Sequence, residues 1–199
     1  MKTIRLLDCT FSFIGLILLS PVLIGLAICI KAGTKGPVLF RQTRIGKNGK
    51  PFTLLKFRTM EEGSQQKGLL TVGERDYRIT PIGVFLRKFK LDELPQLWNV
   101  LIGEMSLVGP RPEVKKYVDL YTPEQQIVLS IKPGITDLAS IIFRNENELL
   151  ARSKDPEHYY IAEIMPEKIE LNKKYIRNQN VKEYLHIIFR TIITAAKGT

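Results

Sequence analysis

The stretch from Cys9 to Ile30 contains no charged residue and consists mostly of Leu, Ile, Val and Phe. As one continuous helix, at ~1.5 Å per residue, it would run about 33 Å, enough to cross a bilayer core. Ser20-Pro21 breaks it near the middle. Pro21 has no N–H for the Ile17 carbonyl and its ring clashes there, so the helix kinks. The Ser20 hydroxyl can bond a nearby carbonyl and ease the bend. A kink alone is still compatible with a single span. Charge adds a second constraint, because Lys2 and Arg5 precede the stretch and Lys31 and Lys35 follow it. Positive residues on both sides suit a segment whose two ends face the cytoplasm. Bent at Ser20-Pro21, each arm measures ~15–18 Å and reaches one leaflet before returning. No A-x-A site follows, so the stretch does not read as a cleaved secretory signal.

The chain, at 199 residues, is long enough for one domain with a proper core. Its formal charge of +10 implies an anionic partner. The charge is uneven: no acid lies between Asp8 and Glu61, where Lys31, Lys35, Arg41, Arg44, Lys47, Lys50, Lys56 and Arg58 all fall. This run begins where the apolar stretch ends, which favours anionic headgroups over nucleic acid. Taken singly, most of these residues equally fit a solvated basic face. Cys9 and Cys29 offer neither a disulfide framework nor metal-ligand spacing. His158 and His186 lack an HExxH context, and there is no GxGxxG or Walker loop.

Val38 to Phe40 and Phe52 to Phe57 read as strands around a turn at Gly46 to Gly49, and residues 61–76 as a mobile loop. Thr80-Pro81 starts a short amphipathic helix in which Ile82, Phe85, Leu86 and Phe89 oppose Arg87, Lys88 and Lys90. It packs on the core or lies in a membrane interface. Leu91-Asp92-Glu93-Leu94 places two adjacent carboxylates in an apolar and basic setting. Asp92 reads as the cap of a helix with Leu94, Leu97, Trp98 and Leu101 on one face and Gly103 at its end; Pro95 is tolerable only in its first turn. An Asp cap followed by Glu is common, so spacing alone leaves structural and catalytic readings of this pair both open. Gly109-Pro110-Arg111-Pro112 holds Arg111 between two prolines, a plain turn or a ligand site. Thr122-Pro123-Glu124 starts another helix and Lys132 to Thr136 forms a turn. Helical spacing returns over Glu167 to Arg177 and Val181 to Lys197, the last with Tyr184, Leu185, Ile188 and Ile192 on one side, as a core or interfacial helix.

These residues together resemble the bacterial sugar transferase family, the monotopic phosphoglycosyl transferases. The resemblance runs from Arg5 to about Thr136. It rests on the Ser-Pro break, on Gly36-Pro37-Val38-Leu39-Phe40-Arg41-Gln42 with Arg44 and Gly46, and on Lys56-Phe57-Arg58-Thr59-Met60. It continues with Arg87 before Leu91-Asp92-Glu93-Leu94-Pro95-Gln96-Leu97, then Asn99-Val100-Leu101 and Gly103-Glu104-Met105-Ser106. Val108-Gly109-Pro110-Arg111-Pro112 and Lys132-Pro133-Gly134-Ile135-Thr136 close it.

The resemblance implies an α/β fold, mostly helical with a few short strands. Residues 1–34 would form a re-entrant membrane hairpin broken at Ser20 and Pro21, and residues 35–199 a cytosolic catalytic domain with interfacial amphipathic helices. The location implied is the cytoplasmic face of the bacterial inner membrane. It implies transfer of a sugar 1-phosphate from a nucleoside diphosphate sugar, usually a UDP-sugar, to polyprenyl (undecaprenyl) phosphate, with Mg²⁺ required. Asp92 would be the nucleophile, Glu93 (with Asp92) would hold the metal, and Arg111, Lys56 and Arg87 would contact phosphate. Beyond membrane lipids, it admits a second copy or downstream glycosyltransferases as partners, and no nucleic acid. The alternative from the residues alone is a non-catalytic module binding phosphorylated lipids or proteins; a lipid diphosphate hydrolase is a third.

After Thr136 the sequence departs from the family pattern. Asp137-Leu138-Ala139-Ser140 stands where Gly-Trp-Ala-Gln is usual. A downstream Leu-Asp-x-x-Tyr element becomes Leu171-Asn172-Lys173-Lys174-Tyr175, with Asn for Asp.

Overall fold

The protein is seen here as a computed structural model that describes residues 2–64, 70–73 and 76–196. Part of the loop expected at 61–76, and Lys197 at the end of the last expected helix, lie outside the described residues. The uncharged stretch forms two helices, α1 (Lys2–Leu18) and α2 (Ser20–Gly33), meeting at a 61° bend. Pro21 sits in the first turn of α2, where its missing N–H costs little. The Ser20 hydroxyl donates to the Ile17 carbonyl at 2.7 Å, so the bend has the partner the sequence predicts. No single helix among the described residues is long and apolar enough to cross a membrane.

Strands β1 (Leu39–Ile45) and β2 (Pro51–Phe57) pair antiparallel, Leu39 opposite Phe57 and Ile45 opposite Pro51. Thr80 accepts from the Gly83 N–H at 3.1 Å and opens α3 (Pro81–Lys88) as expected. A 3₁₀ turn at Leu91–Glu93 leads into α4 (Gln96–Ile102), which Gly103 ends at φ 94°. β3 (Ser106–Val108) is followed by α5 (Lys115–Val118) and a 3₁₀ turn (Gln126–Ser130), then β4 (Gly134–Thr136). The C-terminal part comprises α6 (Leu138–Ile142), α7 (Glu146–Ala151), α8 (Pro156–Tyr159), a π-turn (Tyr160–Ile164), α9 (Met165–Arg177) and α10 (Val181–Ala196). The molecule is mostly helical with few short strands.

Three expectations are corrected. Thr122 opens a turn that runs into a 3₁₀ helix at Gln126–Ser130 rather than an α-helix. Residues 134–136 are a strand rather than a turn, pairing parallel with β3, Ser106 opposite Gly134. In α4 the buried residues are Gln96, Asn99 and Val100, whereas Trp98, assigned to the core face, is 51% exposed. Asn99 is buried because it completes an edge: it accepts from the Leu55 N–H and donates to the Thr53 carbonyl of β2 and to Glu104.

Both ends of the α1–α2 arm are built into the globular part. Ile4 packs with Val108, Ile131, Tyr175, Tyr184 and Ile187, and Ile30 packs with Phe57 and Leu86. Arg5 donates to the Val100 and Leu101 carbonyls at the C-terminal end of α4, at 2.6 and 2.8 Å. Arg58 of the β2 edge does the same at the end of α2, through the Thr34 and Lys35 carbonyls. Helix ends have carbonyls without intrahelical partners, and a guanidinium satisfies two at once. Asp8 is buried, and its Oδ1 accepts from Ser106 Oγ, the Leu107 N–H and Tyr184 OH at 2.8–2.9 Å. Between these ties the arm is apolar and open, with Phe13, Ile17, Leu18, Ile24 and Ile28 all exposed. Asp8→Ala leaves three donors without an acceptor and is expected to cost about 3 kcal/mol or more, against about 1 kcal/mol for Tyr184→Phe. Melting of the two detergent-solubilised variants, compared side by side, measures the difference.

Candidate functional site

Arg111 is placed by backbone close approach. Gly109 N–H bonds the Thr136 carbonyl and Gly134 N–H bonds the Pro110 carbonyl, so the two strand ends cross almost in contact. A Cβ on Gly109 would lie 2.5 Å from the Lys132 carbonyl oxygen, and one on Gly134 would lie 2.1 Å from the Gly109 nitrogen. Only glycine fits at this crossing. Pro110 and Pro112 fix the chain on either side of Arg111. Arg44 of β1 donates to the Pro112 carbonyl at 3.0 Å, and Arg111 Nη1 donates to the Ile135 carbonyl at 2.8 Å.

The carboxylate pair arrives from the other side. Lys90 takes a left-handed conformation, φ 56°, which turns the chain sharply after α3 and aims Asp92 and Glu93 inward. Both are buried. Arg111 grips Glu93 as a fork: Nη1 to Oε2 at 2.9 Å and Nη2 to Oε1 at 2.5 Å. Lys56 of β2 reaches the same Oε1 at 3.0 Å. Burial raises the Glu93 carboxyl, but Arg111 and Lys56 outweigh it and hold it well below the usual range. The guanidinium responds in kind: burial lowers its proton affinity, while Glu93 first, then Asp137 and Asp92, raise it above the ordinary value.

Asp92 behaves differently. The expected capping role is not observed: Pro95 stands at the cap position ahead of α4 with no side-chain cap bond, and Asp92 lies inside the preceding 3₁₀ turn. Its Oδ1 is buried with no hydrogen-bond partner. Burial, with Glu93 beside it, lifts its carboxyl above the usual aspartate range against the pull of Lys56, Arg87 and Lys90. Adjacent carboxylates in one turn are thus driven apart, Glu93 locked as an anion and Asp92 held under electrostatic tension. A buried oxygen with no donor is available to an electrophile or a cation in a way that a capping oxygen is not.

Of the sequence-predicted residues, the structure brings Asp92, Glu93, Lys56 and Arg111 together. Arg87 is nearby, and its charge acts on Asp92, but its Nη2 donates to Thr71 Oγ1 at 3.0 Å. Burial lowers its pKa, as it does that of Lys90. Among the described residues no group of three His, Cys, Asp or Glu could hold a metal ion. Lys90 was not foreseen, since nothing in a lysine's identity announces a left-handed turn. Also unforeseen is a polar layer behind Arg111, where Glu113 accepts from Tyr160 OH at 2.5 Å and pairs with Arg44 at 3.4 Å. Asp8 had one signal, as the last charge before the apolar stretch.

The sequence matches the bacterial sugar transferase family over residues 1–198. It is 40% identical over 192 residues to a UDP-glucose:undecaprenyl-phosphate glucose-1-phosphate transferase of Klebsiella pneumoniae, covering 94% of this chain and 39% of that protein. It is 34% identical over 199 residues to a UDP-N-acetylgalactosamine-undecaprenyl-phosphate N-acetylgalactosaminephosphotransferase of Aeromonas hydrophila, covering 98% of this chain and 44% of that protein. A UDP-glucose:undecaprenyl-phosphate glucose-1-phosphate transferase of Caulobacter vibrioides is 36% identical over 192 residues, 94% of this chain and 67% of its own length. The chain therefore spans about two fifths of the first two relatives. With the buried Asp-Glu pair, the forked arginine and the bent N-terminal arm in one body, this chain belongs to the bacterial sugar transferase family.

Proposed function

We propose that the protein transfers a sugar 1-phosphate from a UDP-sugar to undecaprenyl phosphate, through a covalent intermediate on Asp92. The observation that carries this reading is the unpartnered buried oxygen of Asp92 beside a Glu93 already neutralised by Arg111 and Lys56. A capping or ion-pair role would have used that oxygen. The relatives' names supply the substrate class.

In the first step an Asp92 oxygen attacks the sugar-bearing phosphorus, the bond from that phosphorus to the bridging oxygen breaks, and UMP departs. In the second, the phosphate oxygen of the lipid attacks the aspartyl phosphorus, and the carboxylate is released as the polyprenyl diphosphosugar forms. Arg111 presents its guanidinium where charge develops on the phosphoryl oxygens, with a fixed fork that lysine cannot copy. Lys56 adds a second cation, and Arg87 a third if it exchanges Thr71 for phosphate. Asp92 and Glu93 are the residues that would hold Mg²⁺ here, the unpartnered Asp92 oxygen among its ligands. A dyad offers few ligands, and a hard ion would take the remainder from phosphate and water. It would neutralise charge on the diphosphate.

Residues 1–34 serve as the membrane anchor and 35–199 as the catalytic part. Attachment of both arm ends to the same globular body supports a hairpin in one leaflet over a span. Exposed apolar residues on α3 (Val84, Phe85) and α10 (Leu185, Phe189, Ile192) supply further interfacial surface on the cytoplasmic side. An anchor of this kind would hold the site near the height of a lipid phosphate.

Incubation with a panel of UDP-sugars, Mg²⁺ and undecaprenyl phosphate in nanodiscs is expected to release UMP with one donor. Asp92→Asn should abolish both UMP release and covalent labelling by radiolabelled donor; retained turnover would refute the mechanism. A nucleophilic Asp92 must be ionised, so the rate falls as pH drops through its raised pKa. Lys56→Met removes the strongest cation favouring ionisation, and the acidic limb of kcat/KM should move to higher pH in a pH–rate series. Cysteines placed at Lys2 and Lys35, in a background without Cys9 and Cys29, should both be labelled by an impermeant maleimide from the cytoplasmic face alone. Labelling from opposite faces would replace the hairpin by a span.

A further inference from the structure

Asn172 answers the protein with one end of its amide and leaves the other end unanswered. Its Nδ2 donates to Asp137 Oδ2 at 2.8 Å and to the Lys168 carbonyl at 3.0 Å. These two acceptors settle the orientation, because turning the amide over would oppose oxygen to oxygen. Oδ1 is therefore the free end, buried without a hydrogen-bond partner in a residue only 5% exposed. A carbonyl oxygen shut away from solvent in this manner is costly until a donor reaches it.

Asn172 lines a cavity with Asp137, Lys168, Tyr160, Glu113 and Arg111. Several polar groups there are already spent. Asp137 Oδ1 accepts from the Ser140 N–H and Oδ2 from Asn172, while Glu113 accepts from Tyr160 OH and from Arg44. Left over are Asn172 Oδ1 and the Lys168 ammonium, which pairs with Glu146 at 2.8 Å and has further N–H groups to give. The cavity measures about 20 Å³, space for one or two water-sized groups and too little for an acetamido substituent. Arg111 borders both this cavity and the Asp92-Glu93 site, where it forks onto Glu93. In a nucleoside diphosphate sugar the pyranose hangs from its phosphate by a single oxygen. A phosphate against Arg111 therefore brings sugar hydroxyls to the mouth of the cavity.

Resting on the transferase reading above, we infer that this cavity is a sugar subsite: it admits one hydroxyl of the donor hexose, which donates to Asn172 Oδ1 and accepts from Lys168 Nζ. A hydroxyl has one O–H and two lone pairs, so it meets both leftover groups at once. Recognition of this kind discriminates more sharply than an apolar pocket, because a sugar lacking that hydroxyl leaves the buried oxygen unpaired. Size adds a second filter, since the ring position that enters must carry a hydroxyl rather than an acetamido group. The departure from the family pattern at Asn172 thus falls on choice of sugar and leaves the phosphoryl chemistry of Asp92, Glu93 and Arg111 as it is.

The test uses monodeoxy analogues of whichever UDP-hexose the protein turns over in nanodiscs, one hydroxyl removed at a time. With wild type, one analogue should lose roughly ten- to a hundredfold in kcat/KM relative to the parent donor. Asn172→Ala should lose a similar factor with the parent donor, yet use that one analogue no worse than the parent. Inhibition by UMP, which carries no sugar, should stay as in wild type. Val128→Ile probes the same space without touching a polar group, since Val128 lines the cavity and the added methyl fills it. It should melt within a few degrees of wild type while losing the same discrimination. Equal losses for every analogue in wild type and Asn172→Ala would mean that Oδ1 meets water only and would overturn the inference. Discrimination kept intact in a well-folded Val128→Ile overturns it too. A wild-type protein silent with every donor instead overturns the transferase reading. Calorimetric affinities of the UDP-hexoses and their deoxy analogues then decide the subsite: one weakened analogue supports it, and uniform or absent binding sinks it.

Discussion

Arg111 on Glu93 is the contact around which the rest of the site is arranged. Two charges buried together are stable only when each is fully answered, because desolvation costs several kcal/mol per ion and loss of one partner strands the other. Here the carboxylate is gripped by both ends of a guanidinium and by Lys56, and the guanidinium by Glu93 and the Ile135 carbonyl. The backbone that brings them together has no slack. Gly109 and Gly134 cross at distances that exclude any side chain, and Lys90 accepts a left-handed conformation to turn Glu93 inward. A neutralised Glu93 is also what leaves its neighbour Asp92 under the influence of burial and without a partner.

The N-terminal arm is a second consequence of answered groups. Asp8, Arg5 and Arg58 each satisfy backbone or hydroxyl groups that would otherwise be orphaned where helix or strand ends meet. These ties hold the first turns of α1 and the end of α2 against one body, so the apolar bend between them projects as a unit. Under the proposed transferase function, a membrane reached by such an arm would lie at a fixed height relative to Arg111. Rigidity of this kind would then place the reacting phosphates at lower entropic cost than a flexible tether.

Much of this was legible beforehand. The Ser20-Pro21 bend, the Thr80 cap, the β1–β2 hairpin and the Gly103 stop follow from local rules, and local rules suffice because each involves neighbours in sequence. The α4 face did not follow. A stripe of Leu94, Leu97, Trp98 and Leu101 looks like a core face, yet Gln96 and Asn99 are buried because β2 offers Asn99 an acceptor and a donor. The Asp92 cap failed for a related reason: the pull of the charged site on the turn exceeds what a cap contributes, about 1 kcal/mol.

What the sequence determined by itself is the set of groups: an uncharged, proline-broken stretch, a carboxylate pair, an arginine between prolines, and two substitutions in an otherwise ordered series of motifs. Each is a statement about residue type and spacing. Only the tertiary structure decided which of them answer one another. That Glu93 is spent and Asp92 free, that both ends of the arm return to one body, and that Asp137 and Asn172 share a hydrogen bond all depend on contacts between distant parts of the chain. Burial and charge compensation act through space, and periodicity along the chain carries no record of them.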